Sequence, residues 1–343
     1  MLKKRLECKW NSISQGDRKN LDSDLAGMLS VLSDASEFDE LPVRHNEDLS
    51  NVNLASVVSR KNVDSFGGLS PNEQPENPHF KAFLLFQCHL TRNVKLPNTD
   101  YITDTTTVLD QSIRVIQAMI DIAASQGFLN TTLAVMLTLQ CIKQACWPSE
   151  PDLICLPHMN QNLINDLKAL SITCVSDLLK KTKFDSIRQK LNNLSSKQIS
   201  DISNVISSLP IISISSVTIV DSDSNPCEKN DKGWILKSDL IYNIKLEVTR
   251  KTIEKQNSNQ REISLYCPYF PKAQTESWWV VFGDSVSNEL LVLKRCQLSL
   301  KSIIVLEFMP PEKPGDYSLD VNVVSDGYRG RDFVLKIPVK VYE

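Results

Sequence analysis

The chain has 343 residues, a formal net charge of −3 and only 10 glycines. This length is enough for two or three domains, each with its own core. The scarcity of glycine excludes phosphate-binding loops, because the P-loop and the dinucleotide fingerprint need clustered glycines at fixed spacing. Zinc-protease, nucleophile-elbow and zinc-finger spacings are also absent from the sequence. We therefore expect no catalytic residue, no cofactor and no enzymatic activity.

The nine cysteines form no C-x-x-C pair, and the four histidines are scattered, so we predict no metal site. Cysteines without a disulfide pattern indicate a reducing compartment, and we expect the nucleus or the cytoplasm. The first ten residues are too highly charged for a signal peptide. No run of 18 apolar residues occurs, so the sequence predicts no membrane span.

The first part of the chain shows helical periodicity. It predicts an amphipathic helix over Leu25–Phe38, followed by a polar turn over Glu40–Asp48. Residues 61–78 contain glycines and prolines and are predicted to form a loop. Pro78 suits the first turn of the next helix, where its missing N–H is not needed, and that helix is expected to end near Arg92.

The next helix is the most informative segment. Asp104 is its expected N-cap, and the helix is predicted to run from Thr105 to just before Gly127. Its polar residues share one narrow stripe: Asp110, Gln111, Arg114, Gln117, Asp121 and Ser125. Apolar residues cover about 240° of the helical wheel. Such a stripe is either a solvated face of a bundle helix or a surface that meets a ligand, and both interpretations stay open on periodicity alone.

Residues 131–147 predict an apolar core helix, and short helices are expected within residues 160–209: Gln161–Leu170, Val175–Lys181, Ser186–Leu191 and one from Ser195 or Ser196 to Leu209. Beyond Pro210 the pattern alternates, which predicts seven strands of an antiparallel sandwich. These strands are Ile212–Val220, Leu240–Thr249, Trp278–Phe282, Leu290–Lys294, Ile303–Phe308, Tyr317–Val323 and Phe333–Val341. Pro338 predicts that the last is an edge strand. Trp278 and Trp279 are either core residues or a stacking platform.

Short motifs follow one another along most of the chain. They are Leu41–Asp48, Pro78–Lys81, Leu84–Arg92, Ile113–Asp121, Ser277–Asp284, Leu293–Arg295 and Ser325–Gly330. Together they resemble the Sec-sixty-three homology unit, an accessory unit of Ski-two-like helicases that also occurs in the translocation J-protein of the endoplasmic reticulum. Residues 1–20 carry none of these motifs, and the first strand and helix of the unit are missing. We therefore expect a fragment, an incomplete gene model or a degenerate copy.

The resemblance implies an α+β multidomain fold that combines an all-α bundle and a helix–loop–helix block with a β-sandwich of the fibronectin-III or immunoglobulin type. It implies four parts: a helical lead-in over 1–60, a helical bundle over 61–158 containing a ratchet-like helix over 105–126, the helix–loop–helix block over 159–210, and the sandwich over 211–343.

The resemblance also assigns a function. It implies a non-catalytic module that guides single-stranded RNA or DNA past the ratchet-like helix, with Arg114, Gln117 and Asp121 facing the strand. The implied partners are helicase motor domains in cis or trans and other subunits of a signal-cointegrator or spliceosomal complex. The alternative is a protein-interaction module without nucleic-acid contact, as in the translocation J-protein. The net charge of −3 favours this alternative, since free-standing nucleic-acid binders are usually basic.

Overall fold

A computed structural model describes residues 21–59, 75–179, 194–231, 233–253 and 263–343. The predicted helix over Ser186–Leu191 lies outside these residues, as does most of the predicted loop over 61–78. The described part combines α-helices with sheets that are antiparallel except for one strand pair, and the change in periodicity near residue 210 predicts this combination.

Eight α-helices precede eleven strands in the described residues. The helices are α1 (Leu21–Ser33), α2 (Glu47–Ser59), α3 (Pro78–Thr91), α4 (Thr99–Ser125), α5 (Leu129–Gln144), α6 (Gln161–Ala169), α7 (Val175–Leu178) and α8 (Ser196–Ser208). The strands are β1 (Ile211–Asp221), β2 (Lys229–Asn230), β3 (Gly233–Lys237), β4 (Tyr242–Lys251), β5 (Ser264–Leu265), β6 (Gln274–Thr275), β7 (Trp278–Asp284), β8 (Glu289–Cys296), β9 (Lys301–Phe308), β10 (Gly315–Ser325) and β11 (Phe333–Tyr342). Short 3₁₀ turns lie at Ser36–Phe38 and Asp152–Cys155.

The chain forms two compact units, and both are discontinuous in sequence. The first holds the residues up to Ser125 together with Asn130–Pro151 and Cys267–Gln274. The second holds Gln126–Leu129, Asp152–Tyr266 and Thr275–Glu343.

Helix α3 lies at the centre of the first unit and packs against α1, α2 and α4. Asn77 caps it by accepting hydrogen bonds from the backbone N–H groups of His79 and Phe80, and Pro78 occupies its first turn as predicted. Nearly all of α3 is buried, and Phe86 meets Phe38 edge to face at 5.9 Å between ring centroids. The apolar sequence of α3 thus supplies the core against which α4 packs.

Helix α4 begins six residues earlier than predicted. The side chain of Asn98 accepts a hydrogen bond from the backbone N–H of Tyr101 at 3.1 Å, so Asn98 satisfies the first turn of the helix. Asp104, the expected N-cap, lies inside the helix and is buried, because its carboxylate binds cations from elsewhere in the chain. At the other end, Gly127 follows the helix with φ of +73°, a conformation that glycine adopts without strain.

The second unit contains a three-stranded sheet in the order β1-β4-β9 and a six-stranded sheet in the order β2-β3-β11-β10-β7-β8. All pairs in these sheets are antiparallel except β3 with β11. Both sheets contribute to one hydrophobic core, in which Phe282 of β7 meets Phe308 of β9 edge to face at 4.9 Å. The alternating apolar residues of the sequence therefore point into this core.

The prediction that Pro338 marks an edge strand is wrong, because β11 lies between β3 and β10. Strand β3 pairs with β11 only from Val339 onward, so among the described residues no strand pairs with that side of β11 at Pro338. The missing N–H of Pro338 therefore costs no ladder bond on that side. Gly233 lies directly against Pro338 with φ of +135°, and a Cβ at this position would overlap the proline carbonyl.

Both tryptophans of β7 are buried, so the interpretation of the pair as a stacking platform is wrong. Trp278 is fully buried in the core of the second unit, and its indole Nε1–H donates to Glu276 at 2.8 Å. Trp279 is 3% exposed, with the guanidinium carbon of Arg295 5.5 Å from its ring centroid. The β7 sequence is buried along its whole length.

Candidate nucleic-acid interface

The polar stripe lies on α4, a helix of 27 residues and about 40 Å. Its inner face is buried through Val108, Leu109, Ser112, Val115, Ile116, Met119, Ile120 and Ala123. This is the apolar face that the periodicity predicts, with Ile113 and Ile122 half-buried at its margins. Burial of this face fixes the direction in which the stripe points.

An ion cluster, formed by the buried residues Glu47, Lys81 and Asp104 and the partly exposed Arg44, fixes the N-terminal half of α4. Lys81 has no exposed side-chain surface, and its Nζ donates to Glu47 Oε2 at 2.6 Å, Asp104 Oδ2 at 2.7 Å and the Pro42 carbonyl at 2.7 Å. All three ammonium hydrogens therefore have acceptors. The cluster ties α4 to α2 and α3.

Arg44 completes the ion cluster with a second positive charge. Its guanidinium donates to Asp104 Oδ2 at 2.7 Å and Oδ1 at 3.2 Å, and to Glu47 Oε1 at 3.1 Å. Burial disfavours ionisation of Asp104, but the hydrogen bonds from Arg44 and Lys81 outweigh burial and lower the pKa of this carboxyl below its ordinary value. The same balance of burial against Lys81 and Arg44 lowers the pKa of Glu47. The cluster is thus two carboxylates held ionised by two cations.

The three predicted site residues all lie on the outer side of α4. Arg114 and Asp121 are exposed, and Gln117 is half-buried. Arg114 and Asp121 are two turns apart and nearly in line along the helix, about 10 Å along its axis. The guanidinium Nη2 of Arg114 donates to Gln111 Oε1 at 3.1 Å, one turn away. Gln111, which is on the predicted stripe, is therefore the neighbour that orients Arg114.

A second element of the first unit, residues 267–274, lies beside this stripe. The ammonium of Lys272 is 2.7 Å from Asp110 Oδ2, and Asp110 is one turn before Arg114 on the same side of the helix. Sequence reasoning missed Lys272, because this segment lies between two-residue strands and carries no periodicity. No pattern in the sequence around Lys272 indicates that it pairs with Asp110, which lies 162 residues away.

Tyr269 of the same segment stacks on a guanidinium. The guanidinium carbon of Arg92 lies 4.1 Å from the ring centroid of Tyr269. Arg92 is held in place, since its Nε donates to the carbonyl of Ala145 at 2.6 Å and its Nη2 to that of Gln144 at 2.7 Å. Tyr269 and Arg92 line an open pocket of about 180 Å³ with Cys88, His89, Val94, Leu96 and Thr105.

The motifs of the second unit also form a polar cluster. Asp326 accepts hydrogen bonds from the backbone N–H of Ser277 at 3.1 Å and from its hydroxyl at 3.0 Å, and Arg295 lies 3.5 Å from the same carboxylate. Ser277 and Asp326 are buried. These residues join β7 to the segment after β10, which is a structural role.

Among the described residues, no group of three or more histidine, cysteine or acidic side chains could hold a metal ion. No helix in the described ranges has the length and apolar character to cross a membrane.

Comparison with known proteins identifies one family model. The model of the Sec63 Brl domain matches residues 11–338 of the chain. The match includes residues 11–20, in which the motifs showed no resemblance, so the expectation that residues 1–20 do not match is wrong for that stretch.

Curated relatives are long proteins of which the chain covers a small part. The chain is 32% identical to bovine activating signal cointegrator 1 complex subunit 3, over 89% of the chain and 15% of the relative. It is 34% identical to the DExH-box ATP-dependent RNA helicase DExH14 of Arabidopsis thaliana, over 90% of the chain and 13% of the relative. It is 30% identical to the human U5 small nuclear ribonucleoprotein 200 kDa helicase, over 94% and 14% respectively.

The match to a solved structure, the C-terminal domain of wzt, covers 38% of this chain and 74% of the chain in that structure. The two are 11% identical in sequence, and the TM-score is 0.23. This similarity is too low to support an argument about fold or function.

Proposed function

Since this chain belongs to the Sec63 Brl domain family, we propose that it is a non-catalytic accessory module of an ATP-dependent helicase. In this proposal the module guides a single strand of RNA or DNA along the outer side of α4 and docks partner proteins. Relatives named as helicases contain the matching region within much longer chains. The carrying observation is that the predicted strand-facing residue Arg114 is exposed on a helix whose opposite face is buried.

The side chains of the stripe suit a single strand. The guanidinium of Arg114 can donate charge-assisted hydrogen bonds to a phosphate or stack on a base, while Gln111 keeps it oriented. Gln117 offers an amide donor and acceptor to base edges. Asp121 repels phosphate, so its role is to accept a hydrogen bond from a base rather than to meet the backbone. One cation of this kind predicts weak binding with a shallow dependence on salt.

Direct binding tests this proposal. The purified chain should shift the anisotropy of a labelled oligouridine or oligothymidine at low salt, and Arg114→Gln should weaken binding about 10- to 150-fold, the range for a hydrogen bond to a charged group. Lys336→Gln is the matched control, because it removes one exposed positive charge from β11 of the second unit. Equal weakening by both variants would mean that Arg114 acts only through net charge.

The second candidate is a protein-interaction module without nucleic-acid contact. The observation that favours it is the balance of charge along α4, where Asp110 neutralises Lys272 and Asp121 follows Arg114. In that case the wild-type chain would not bind either oligonucleotide at low salt, and Arg114→Gln would weaken only the capture of a protein partner.

The proposal extends to partners, location and fold. We infer that the partners are helicase motor domains and other subunits of a complex, since one relative is named a complex subunit and another a small nuclear ribonucleoprotein helicase. The second name supports a nuclear location. We also propose that the two larger sheets of the second unit form a sandwich of the fibronectin-III or immunoglobulin type, for which their shared core is the support.

We expect no ATP hydrolysis by the chain alone, because its sequence has no glycine-rich loop to surround a triphosphate. Phosphate release by the purified chain with and without single-stranded RNA is the measurement. Hydrolysis above that of a buffer control would contradict a non-catalytic role.

A further inference from the structure

Residues 267–274 present an aromatic ring and a cation to solvent, while two buried side chains anchor the segment. Cys267 and Phe270 are buried, whereas Tyr269 is 51% exposed and the side chain of Lys272 is 60% exposed. A large aromatic side chain that stays half exposed beside a cation is the combination that single-strand-binding surfaces use.

The ring of Tyr269 is preorganised. Arg92 lies under it at 4.1 Å, and the two backbone carbonyls that hold Arg92 keep the guanidinium from moving away. The pocket between Tyr269, Thr105, Val94 and Leu96 is open to solvent and has space beside the ring. A ring that is already fixed loses little conformational freedom when a flat ligand stacks on it.

The carboxylate of Asp110 holds the ammonium of Lys272 as the phosphate of a bound strand would hold it. Its ammonium lies 2.7 Å from Asp110 Oδ2, an ion pair between exposed groups, which contributes little to stability. Asp110 and Arg114 are separated by one helical turn, so Lys272 and Arg114 are neighbouring cations along the outer side of α4. An incoming phosphate can replace the Asp110 carboxylate at Lys272 at small cost.

We propose that residues 267–274 are a second contact element for single-stranded nucleic acid, in which Tyr269 stacks on a base and Lys272 binds a phosphate. This inference rests on the proposed function and adds two contact residues outside α4. Asp110 competes with the phosphate for Lys272 and therefore weakens binding in the wild-type chain.

The two residues have different signatures in a binding measurement. Loss of base stacking weakens binding about 5- to 150-fold without changing its salt dependence. Loss of one phosphate contact lowers the slope of log K against log salt by about 0.7 for a single strand. Removal of the Asp110 carboxylate strengthens binding, since it leaves Lys272 without a competing carboxylate.

The experiment measures binding of labelled oligouridine and oligothymidine to the full chain across a salt series. Tyr269→Leu should weaken binding without changing the salt slope, whereas Tyr269→Phe, which keeps an aromatic ring, should bind like the wild type. Lys272→Gln should lower the salt slope. Asp110→Asn should tighten binding, and Lys272→Gln should abolish most of that gain in the double variant. Tyr342→Leu is the matched control, because Tyr342 is 42% exposed with Lys340 Nζ 5.0 Å from its ring centroid, on β11.

The outcomes separate this inference from the proposed function. If Arg114→Gln weakens binding while Tyr269→Leu and Lys272→Gln bind like the wild type, the inference is overturned and the proposed function stands. If the Tyr269 and Lys272 variants show their signatures while Arg114→Gln does not, the inference stands and the role of Arg114 fails. Binding by none of the chains overturns both. Unchanged thermal midpoints of the variants exclude misfolding as the cause.

Discussion

Lys81 shows why a charged residue inside the motif Pro78–Lys81 is structural. Its ammonium is surrounded by Glu47, Asp104 and the Pro42 carbonyl and reaches no solvent. The neighbouring motif residues Arg44 and Glu47 belong to the same cluster. The sequence carries these residues at three separated positions, and only the tertiary fold shows that they neutralise one another.

Lys81→Met should destabilise the chain by about 3–5 kcal/mol, because Glu47 and Asp104 would keep buried charge with only Arg44 to compensate. The midpoint of guanidinium chloride unfolding is the measurement. Lys336→Met, which removes an exposed lysine, should change the unfolding free energy by less than about 0.5 kcal/mol. A loss below about 1 kcal/mol for Lys81→Met would contradict the cluster as a fixed element.

The fold changes the pKa of His89, a residue that ordinarily titrates near neutral pH. Burial and the nearby charge of Arg92 lower its pKa from 6.5 to about 4, although the hydrogen bond to the Ile142 carbonyl opposes the shift. A histidine whose pKa is lower in the folded state stabilises the fold fully above pH 6.5. That stability is lost as the pH falls from about 6.5 to about 4, because the unfolded chain binds the proton first.

We therefore expect the unfolding free energy to fall by about 2.5 kcal/mol between pH 7 and pH 4.5, less than the roughly 3 kcal/mol of the full shift because pH 4.5 is still above the folded pKa. His89→Gln should remove most of this decline, and denaturant unfolding at both pH values is the measurement. A second decline, below about pH 4.5, belongs to Glu47 and Asp104 and should persist in the variant. An unchanged decline in His89→Gln would assign the upper window to other groups.

At the scale of elements, α4 shows what periodicity determines. The apolar face and the polar stripe of the predicted helix are present, since both follow from the 3.6-residue repeat. The predicted start of the helix is wrong, because Asp104 suits an N-cap locally but forms ion pairs with Lys81 and Arg44 from distant segments. Helix α2 was not predicted, as its sequence has little amphipathic pattern.

Strand β11 shows why proline does not always mark an edge strand: its neighbour β3 is short and pairs only with the residues after Pro338. Pro338 predicts an edge, yet β3 covers β11 beyond it, and Gly233 lies against the proline with φ of +135°. Gly233→Ala should therefore destabilise the chain by about 2 kcal/mol or more, since both the backbone conformation and the space exclude a Cβ. Gly315→Ala is the control, because its Cβ would meet the Tyr317 ring only at 3.5 Å. Equal thermal midpoints for the two variants would contradict this close approach.

The contact element over residues 267–274 could not be found from the sequence. Tyr269 and Lys272 lie in a short segment with two prolines, and such segments carry no periodicity. Their significance comes from Arg92 and Asp110, which are more than 150 residues away. The aromatic pair that the sequence did suggest, Trp278 and Trp279, is buried, since Trp278 lies in the core shared by the two sheets and Trp279 packs beside Arg295.

At the scale of the whole molecule, the sequence predicts the order of helices and strands better than their grouping. The change near residue 210 correctly separates helical from strand sequence. The two compact units nevertheless cross that point, since Asp152–Tyr266 belongs to the second and Cys267–Gln274 to the first. Such grouping depends on long-range contacts, which one sequence does not reveal. The four-part division at residues 60, 158 and 210 remains a prediction.

The central claim is that the outer side of α4 guides a single strand, and unwinding by a full helicase into which this unit is placed tests it most directly. Arg114→Ala in that helicase should lower unwinding or processivity about tenfold or more, because a hydrogen bond to a charged group contributes about 1.5–3 kcal/mol. The thermal midpoint should stay within about 1 °C, since Arg114 is exposed and outside the core. A midpoint lower by several degrees with unwinding intact would show that Arg114 is structural and would contradict the claim.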